Sequence, residues 1–370
     1  VAAGRDLEVG MAGTAVVVGA GVGGLATATG LRRAGWTVTV RERRTSLERY
    51  GTAFGIHPTA QAALDRLGVG EALRRHAVPY RRADIRTPDG RVRARLPLER
   101  IEKKGGRPEL LISRPYLIDA LLAGLETFGD VPVTFGENVT DVAALAAEHD
   151  LVVGADGIRS AVRTGVLGTR SAPRDTGTVA WIGIADFESD VHGETWGSGC
   201  FFGMTPVEPG RTNWYATVPA ATTADELRPY FEGWHDPIPR ILAETDPAGW
   251  IRYEMRHLYP ALPSFVSLSA GAGRGRTGAA PAGAFALVGD AAHAMTPHLG
   301  QGACTAILDA DSLTRAVGAH GPSGLPAALR AYDAERRRSA QRVAFGSRTL
   351  HRFVSTRRTA LRDALVSLLP

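Results

Sequence analysis

Apolar positions change period twice within the first forty residues. Thr14 to Val18 is a short β-branched run, Leu25, Ala28 and Leu31 follow at helical spacing, and Trp36 to Val40 returns to a compact apolar stretch. A short unbroken apolar run marks a buried strand, and apolar residues three or four apart mark one face of a helix. The pattern predicts a βαβ unit over residues 14–40, with Gly35 ending the helix. Leu64, Leu67 and Leu73 predict a second helix from Pro58 to Arg75, and Pro115 to Phe128 reads as a third. Between these, alternating positions from Tyr80 to Leu98 flank Pro88-Asp89-Gly90, a hairpin signature.

Residues 175–265 change character. Trp181, Phe187, Trp196, Phe201, Phe202, Trp214 and Tyr215 concentrate there, with Glu208-Pro209-Gly210-Arg211 as a turn. This predicts an antiparallel sheet forming a separate, substrate-facing domain. A run of Gly, Ala and Arg over 271–283 has no periodicity and reads as a flexible loop. From Leu325 onward the chain is helical. Leu350, Phe353, Leu361, Leu365 and Leu368 form a stripe opposite Arg357 and Arg358. Such a stripe suits a membrane surface, but more commonly packs on a core, here that of the N-terminal βαβ domain.

Length and composition narrow the class. A chain of 370 residues is long enough for about two domains. With 44% hydrophobic and 22% charged residues it reads as an ordinary globular enzyme. The formal charge is +5, yet Lys103 and Lys104 are the only lysines and arginine supplies the rest. No basic stripe interleaved with aromatics accompanies that charge, so nucleic-acid binding is not expected. Cys200 and Cys304 lack a CxxC companion, which fits a reducing, cytoplasmic setting. No apolar run reaches the ~20 residues needed to span a bilayer. The first apolar stretch leads into glycines instead of a cleavage site, so it reads as a strand, and Val1 to Gly10 is expected to add no structure.

That stretch ends in Gly19-Ala20-Gly21-Val22-Gly23-Gly24. In a GxGxxG fingerprint the first glycine (Gly19) permits the tight turn, the second (Gly21) lets backbone approach a pyrophosphate, and the third (Gly24) allows close helix–strand packing. The helix N-terminus favours the phosphates through its free N–H groups. Glu42, followed by Arg43, ends the next strand, where an acid accepts ribose hydroxyls. The fingerprint alone does not separate FAD from NAD. Two more motifs follow, Asp150-Leu151-Val152-Val153-Gly154-Ala155-Asp156-Gly157 and Ala286-Leu287-Val288-Gly289-Asp290-Ala291-Ala292-His293.

All three in this order resemble the class A flavoprotein monooxygenases, the para-hydroxybenzoate hydroxylase group that includes salicylate hydroxylase- and zeaxanthin epoxidase-type enzymes. The resemblance covers residues 14 to about 345 and is weakest over 175–265. It implies an α/β fold: a discontinuous Rossmann-like FAD-binding domain (11–77, 101–174 and 285–345) interleaved with a smaller antiparallel-sheet substrate domain (78–100 and 175–270). A glycine-rich loop at 271–284 and a C-terminal helix over 346–370 complete it. It further implies non-covalent FAD, NADPH or NADH as transient reductant, and O2. In the family a flavin 4a-hydroperoxide then hydroxylates an aromatic or polycyclic small molecule. The same resemblance links Asp156 to nicotinamide use and gives Asp290 a ribityl hydroxyl of FAD. It lays Pro297 and Gly300-Gln301-Gly302-Ala303 along the isoalloxazine, and Arg114, Gly55 and Val139 along the cofactor.

His298 is the polar residue of most interest, since it lies between Pro297 and the Gly-Gln-Gly turn. An imidazole there could accept a phenolic proton near its ordinary pKa of ~6.5, or simply bond to backbone. His293 reads as structural, and His57, before Pro58, could also reach the pocket. No metal is expected: His293 and His298 are five apart without a third ligand. Strand parity puts Phe201 with Gly203, and Asn213 with Tyr215, on pocket-facing sides. Epoxidation or Baeyer–Villiger oxygenation on the same fold, and a catalytically silent flavin-binding protein, remain the alternatives. The sequence leaves monomer and homodimer open.

Overall fold

The computed structural model describes residues 12–47, 53–269 and 283–366. A six-stranded sheet runs in the order Val266–Ser269, Gly283–Leu287, Leu151–Gly154, Thr14–Val18, Thr37–Glu42, Val133–Phe135. All its pairs are parallel except the first. Val17 stands opposite both Val40 and Val153, and all three are fully buried. Strands covered on both faces need side chains that are apolar on both, which is why these segments read as continuous runs. Helix Val22–Arg33 packs against helices Gly302–His320 and Arg114–Glu126, giving the largest core.

A seven-stranded sheet forms the second layer, in the order Ile251–Tyr259, Ala172–Ala185, Arg211–Pro219, Phe201–Glu208, Gly193–Trp196, Asp84–Arg86, Val92–Arg95. Its outer face is closed by Phe202 stacked on Trp214 at 5.5 Å, with Phe231, Ile238, Ile241 and Trp250. Phe201, Gly203 and Tyr215 take the opposite face by strand alternation. A third sheet of Ala53–Ile56, Glu109–Ser113 and Val78–Tyr80 lies across the Phe201–Glu208 strand. Its three- to five-residue strands carry too few positions for a period to show.

Three expectations are corrected. The helix read over Pro58–Arg75 is two helices, Pro58–Arg66 and Gly70–Arg74, because Gly68 turns left-handed at φ +79°. The C-terminal stripe also divides, between helices Leu325–Val354 and Thr359–Val366: Leu350 and Phe353 pack on the antiparallel sheet, Leu361 and Leu365 stay exposed, and Leu368 lies outside the described residues. Val354 and Val366 also join Ile85, Ala94, Trp196 and Phe201 on the antiparallel sheet. The guanidinium of buried Arg362 donates there to the carbonyls of Gly197, Trp196 and Val354, a tie invisible in an apolar pattern. Of the segment read as a loop over 271–284, residues 271–282 lie outside the described residues, and Gly283 already begins a strand. No helix among the described residues is long and apolar enough to cross a membrane.

Candidate active site

The glycine fingerprint is built as its spacing requires. Gly19 has φ +106°, and a Cβ there would press on the carbonyl of Ala155. A Cβ on Gly24 would overlap the Gly19 carbonyl, so the helix sits against the strand only with glycine there. Gly21, at the helix N-terminus, faces open space. Beside it a cavity is lined by Ala20, Glu42, Arg44, Ser46, Leu47, Arg114 and Ile118. Glu42 is 5% exposed, and its two carboxylate oxygens accept from the N–H groups of Ala20 (2.8 Å) and Arg44 (2.9 Å). It therefore fastens the fingerprint turn to the next strand, and carboxylate oxygens retain capacity for a ribose hydroxyl. Arg43 is exposed and Val139 packs half-buried on the large core; neither lines this cavity.

Asp290 begins a one-turn helix, Asp290–His293, and its side chain is exposed to the groove. The Tyr253 phenol is pushed up to about 12 by burial and by the negative charge of Asp290, with Arg114 opposing. Asp290 and Arg114 both lie within electrostatic reach of the Tyr253 phenol. Behind them sits a network the motifs did not announce. Buried Asp309 accepts from the Gly289 N–H at 3.1 Å, from His293 and from Arg336 at 2.9 Å, which fixes the turn that presents Asp290. His293 is therefore structural.

Asp156 caps helix Ala161–Leu167, one carboxylate oxygen accepting from the N–H groups of Ala161 (2.7 Å) and Val162 (3.1 Å). Its other oxygen is buried without a partner among the described residues. Arg163, nearly fully buried, donates to the carbonyls of Ile158 and Ala291 and ties this motif to the one carrying Asp290. Exposed Pro297 opens the turn Pro297–Leu299, which Gly300 ends in the left-handed region at φ +62°. Gln301, Gly302 and Ala303 then start helix Gly302–His320 half-exposed, so its first N–H groups are presented to the groove. The carbonyl of Gly55 accepts from the Cys304 thiol at 3.0 Å, which anchors the small sheet to this helix start.

The sequence expectation puts the pocket wall on the inner face of the large sheet. Gly203 stands opposite Tyr215, and a Cβ on Gly203 would strike the Tyr215 ring. Tyr215 packs edge-on against Phe201 at 6.1 Å and donates to Glu194 at 3.0 Å; Trp196 Nε1 donates to the same carboxylate at 2.6 Å. Burial pushes the Glu194 carboxyl up. Sequence reading missed Glu194, although Glu194 and Trp196 alternate with the expected parity. Asn213 departs from its expected place as an open wall. It is 2% exposed, accepts from the Ala53 N–H and donates to Thr205, joining the large sheet to the small one.

His298 rests on Phe201 with ring centroids 5.4 Å apart, and its Nε2 lies 3.2 Å from Nδ1 of His351. Burial, with His351 adding to it, pushes the imidazole down to about 3, so the ordinary value of ~6.5 does not hold here. Nearby, His57 Nε2 is 3.7 Å from Glu109, whose carboxyl burial raises to about 7; burial lowers His57. No group of three metal-ligating side chains occurs among the described residues.

An open cradle at Gly21, a groove-facing acid at Asp290, an orphaned oxygen on Asp156 and a free helix start at Gln301–Ala303 suit a flavin dinucleotide laid across the sheet. The family model for the FAD binding domain matches residues 13–251 and 271–347, and the chain belongs to this family, the class A flavoprotein monooxygenases. It is 33% identical over 356 residues to the aurachin C monooxygenase/isomerase of Stigmatella aurantiaca, covering 90% of this chain and 88% of that protein. Against an FAD-dependent urate hydroxylase of Klebsiella pneumoniae it is 32% identical, with 87% and 85% covered. The crystal structure of Klebsiella pneumoniae HpxO complexed with FAD and uric acid superposes with a TM-score of 0.81 at 27% identity, covering 98% of this chain and 94% of that one. The protein is an FAD-dependent oxidoreductase of the monooxygenase type.

Proposed function

We propose that the protein hydroxylates an aromatic or polycyclic small molecule carrying an ionisable ring hydroxyl, with NADH or NADPH as electron donor and O2 as co-substrate. Bound FAD, once reduced, supplies an electrophilic oxygen atom on reaction with O2. The chain's own residues do the rest. The observation that carries this reading is the juxtaposition of His298 and Phe201, which sets an imidazole from the cofactor segment against an aromatic of the pocket sheet. The Tyr215 ring, laid over Gly203 and edge-on to Phe201, completes an aromatic wall for the substrate. Glu194 holds Tyr215 in place, and Cys304 with Gly55 closes the side away from solvent.

In this reading Glu42, Gly19, Gly21 and Gly24 hold the adenosine diphosphate portion, Arg114 and Asp290 the ribityl chain, and Gln301–Ala303 the ring through backbone N–H groups. Asp156 keeps the Asp-Gly turn in shape for nicotinamide access. Substrate is held by Phe201 and Tyr215, and His298 takes up the proton of its ring hydroxyl, which makes the ring a better nucleophile. Relatives are named as an aurachin C monooxygenase/isomerase, a urate hydroxylase and a 2-heptyl-3-hydroxy-4(1H)-quinolone synthase, and planar ring compounds such as urate and a quinolone support this substrate class. Screening NADH and NADPH consumption against an aromatic panel tests it, with mass spectrometry for one added oxygen. Consumption that yields only peroxide with every planar hydroxylated compound would remove the proposal.

A further inference from the structure

We infer that His351 is the second member of a two-imidazole relay that carries the substrate's proton from His298 toward solvent. The inference rests on the proposed role of His298 and extends it to a residue that neither motif nor spacing marks. His351 lies on helix Leu325–Val354, 53 residues from His298, and is 6% exposed. Its Nδ1 is 3.2 Å from His298 Nε2, with ring centroids 4.7 Å apart and planes at 67°, so the rings meet nitrogen to nitrogen instead of stacking. Two facing imidazole nitrogens can share only one proton. With that proton on His298 Nε2, His298 Nδ1 is left bare, and this atom is buried with no partner among the described residues. The Ser355 hydroxyl is 3.4 Å from the same His351 Nδ1, and Ser355 is half-buried at the helix end.

The step balances without any redox partner. The substrate O–H bond breaks and its proton bonds to His298 Nδ1, while the oxygen keeps the electron pair. The His298 Nε2–H bond breaks and that proton bonds to His351 Nδ1. His351, now carrying a proton on each ring nitrogen, releases the one on Nε2 to solvent. Reprotonation of the product oxygen from His298 Nδ1, with a proton returned from His351, resets both tautomers. The relay explains how a group held down to about 3 can serve as a base: no charge has to rest on His298. His351 does not store the proton either. Burial lowers it, His257 on the neighbouring strand and Arg352 on its own helix add to this, and Arg348 and Arg174 lie around His257. These cations drive the proton onward.

The test uses the FAD-loaded protein with 4-nitrophenol, whose ionisation is read by absorbance, in rapid mixing across pH 5–9. Wild type is expected to bind the probe, shifting the flavin spectrum, and to ionise it rapidly. His351→Phe should slow ionisation ~10-fold or more, with free imidazole restoring part of the rate. His351→Asn keeps a hydrogen-bond donor but cannot relay, so it should be as slow as the Phe variant; a merely structural histidine would tolerate Asn. Retained FAD and an unchanged melting temperature verify folding, and if Phe is not tolerated the Asn variant carries the comparison. Wild-type protein that fails to bind or ionise the probe would overturn the base role of His298, and the relay with it. Ionisation by wild type and by His351→Asn at equal rates would overturn the relay alone.

Discussion

His293 and Asp309, sixteen residues apart, are hydrogen-bonded to each other inside the nucleotide-domain core, at 3% and 0% exposure. The pair fixes the turn that carries Asp290, because Asp309 also holds the Gly289 N–H and Arg336. Burial alone would push the Asp309 carboxyl up, but His293, Arg336 and the Gly289 N–H hold it below its usual value. A depressed folded-state pKa contributes stability above the unfolded value of ~3.9, lost as pH falls through the folded value. Asp309→Asn should cost about 3–5 kcal/mol in urea denaturation at pH 7, since it strands the Arg336 guanidinium. The deficit should shrink toward pH 3; a loss independent of pH would mean the charge is not what matters.

Asp290 is exposed at the start of the one-turn helix that carries it. Asp290→Ala should therefore leave stability nearly unchanged while weakening FAD binding roughly ten- to hundred-fold, the worth of a charge-assisted hydrogen bond of about 1.5–3 kcal/mol. Equilibrium dialysis followed by flavin absorbance reads this directly. Unaltered occupancy would remove Asp290 from the cofactor site.

Asp156 has two jobs that can be separated. As a cap it holds two N–H groups of helix Ala161–Leu167, so Asp156→Ala should cost about 1 kcal/mol. Asp156→Asn keeps the capping oxygen and removes the charge. If the carboxylate also serves nicotinamide access, stopped-flow reduction should be slow in both variants; normal reduction in Asn would leave only the cap.

Gly203→Ala should displace the Tyr215 ring from Glu194, because the added carbon meets that ring and the sheet behind it is packed. Overpacking of this kind costs about 1–3 kcal/mol. FAD should still bind, while NAD(P)H consumption uncouples from product, measured as peroxide released per oxygen inserted. Full coupling in the variant would show that Tyr215 does not hold substrate.

Glu109 gives the site its pH sensitivity. Its carboxyl is raised to about 7, so the stability it contributes is complete below the unfolded value of ~4.3 and is lost as pH rises through about 7. Glu109→Gln should stay uncharged throughout, and thermal unfolding at pH 8–9 should find it more stable than wild type. Below about pH 4 the two should match. A variant that loses stability at high pH as wild type does would place the titration elsewhere.

Local chemistry determined much of this protein before any folding. Gly19 and Gly24 have to be glycine because backbone comes too close for a Cβ, and that demand is written at fixed spacing around Gly21. The buried parallel strands had to be β-branched and apolar, so Thr14–Val18, Leu151–Gly154 and the strand ending at Leu287 were readable, as was the aromatic sheet beyond residue 175. What tertiary structure alone decided are the contacts that join distant positions. Asp309 with His293, Glu194 with Tyr215, Glu109 with His57 and His298 with His351 each combine residues whose separation in sequence carries no period. Their pKa values were hidden for the same reason, since desolvation depends on what packs around a group and not on its neighbours in the chain. The C-terminal stripe shows the limit most plainly: Leu350 and Phe353 find a surface on the antiparallel sheet while Leu361 and Leu365 stay exposed, an outcome that only the completed fold decides.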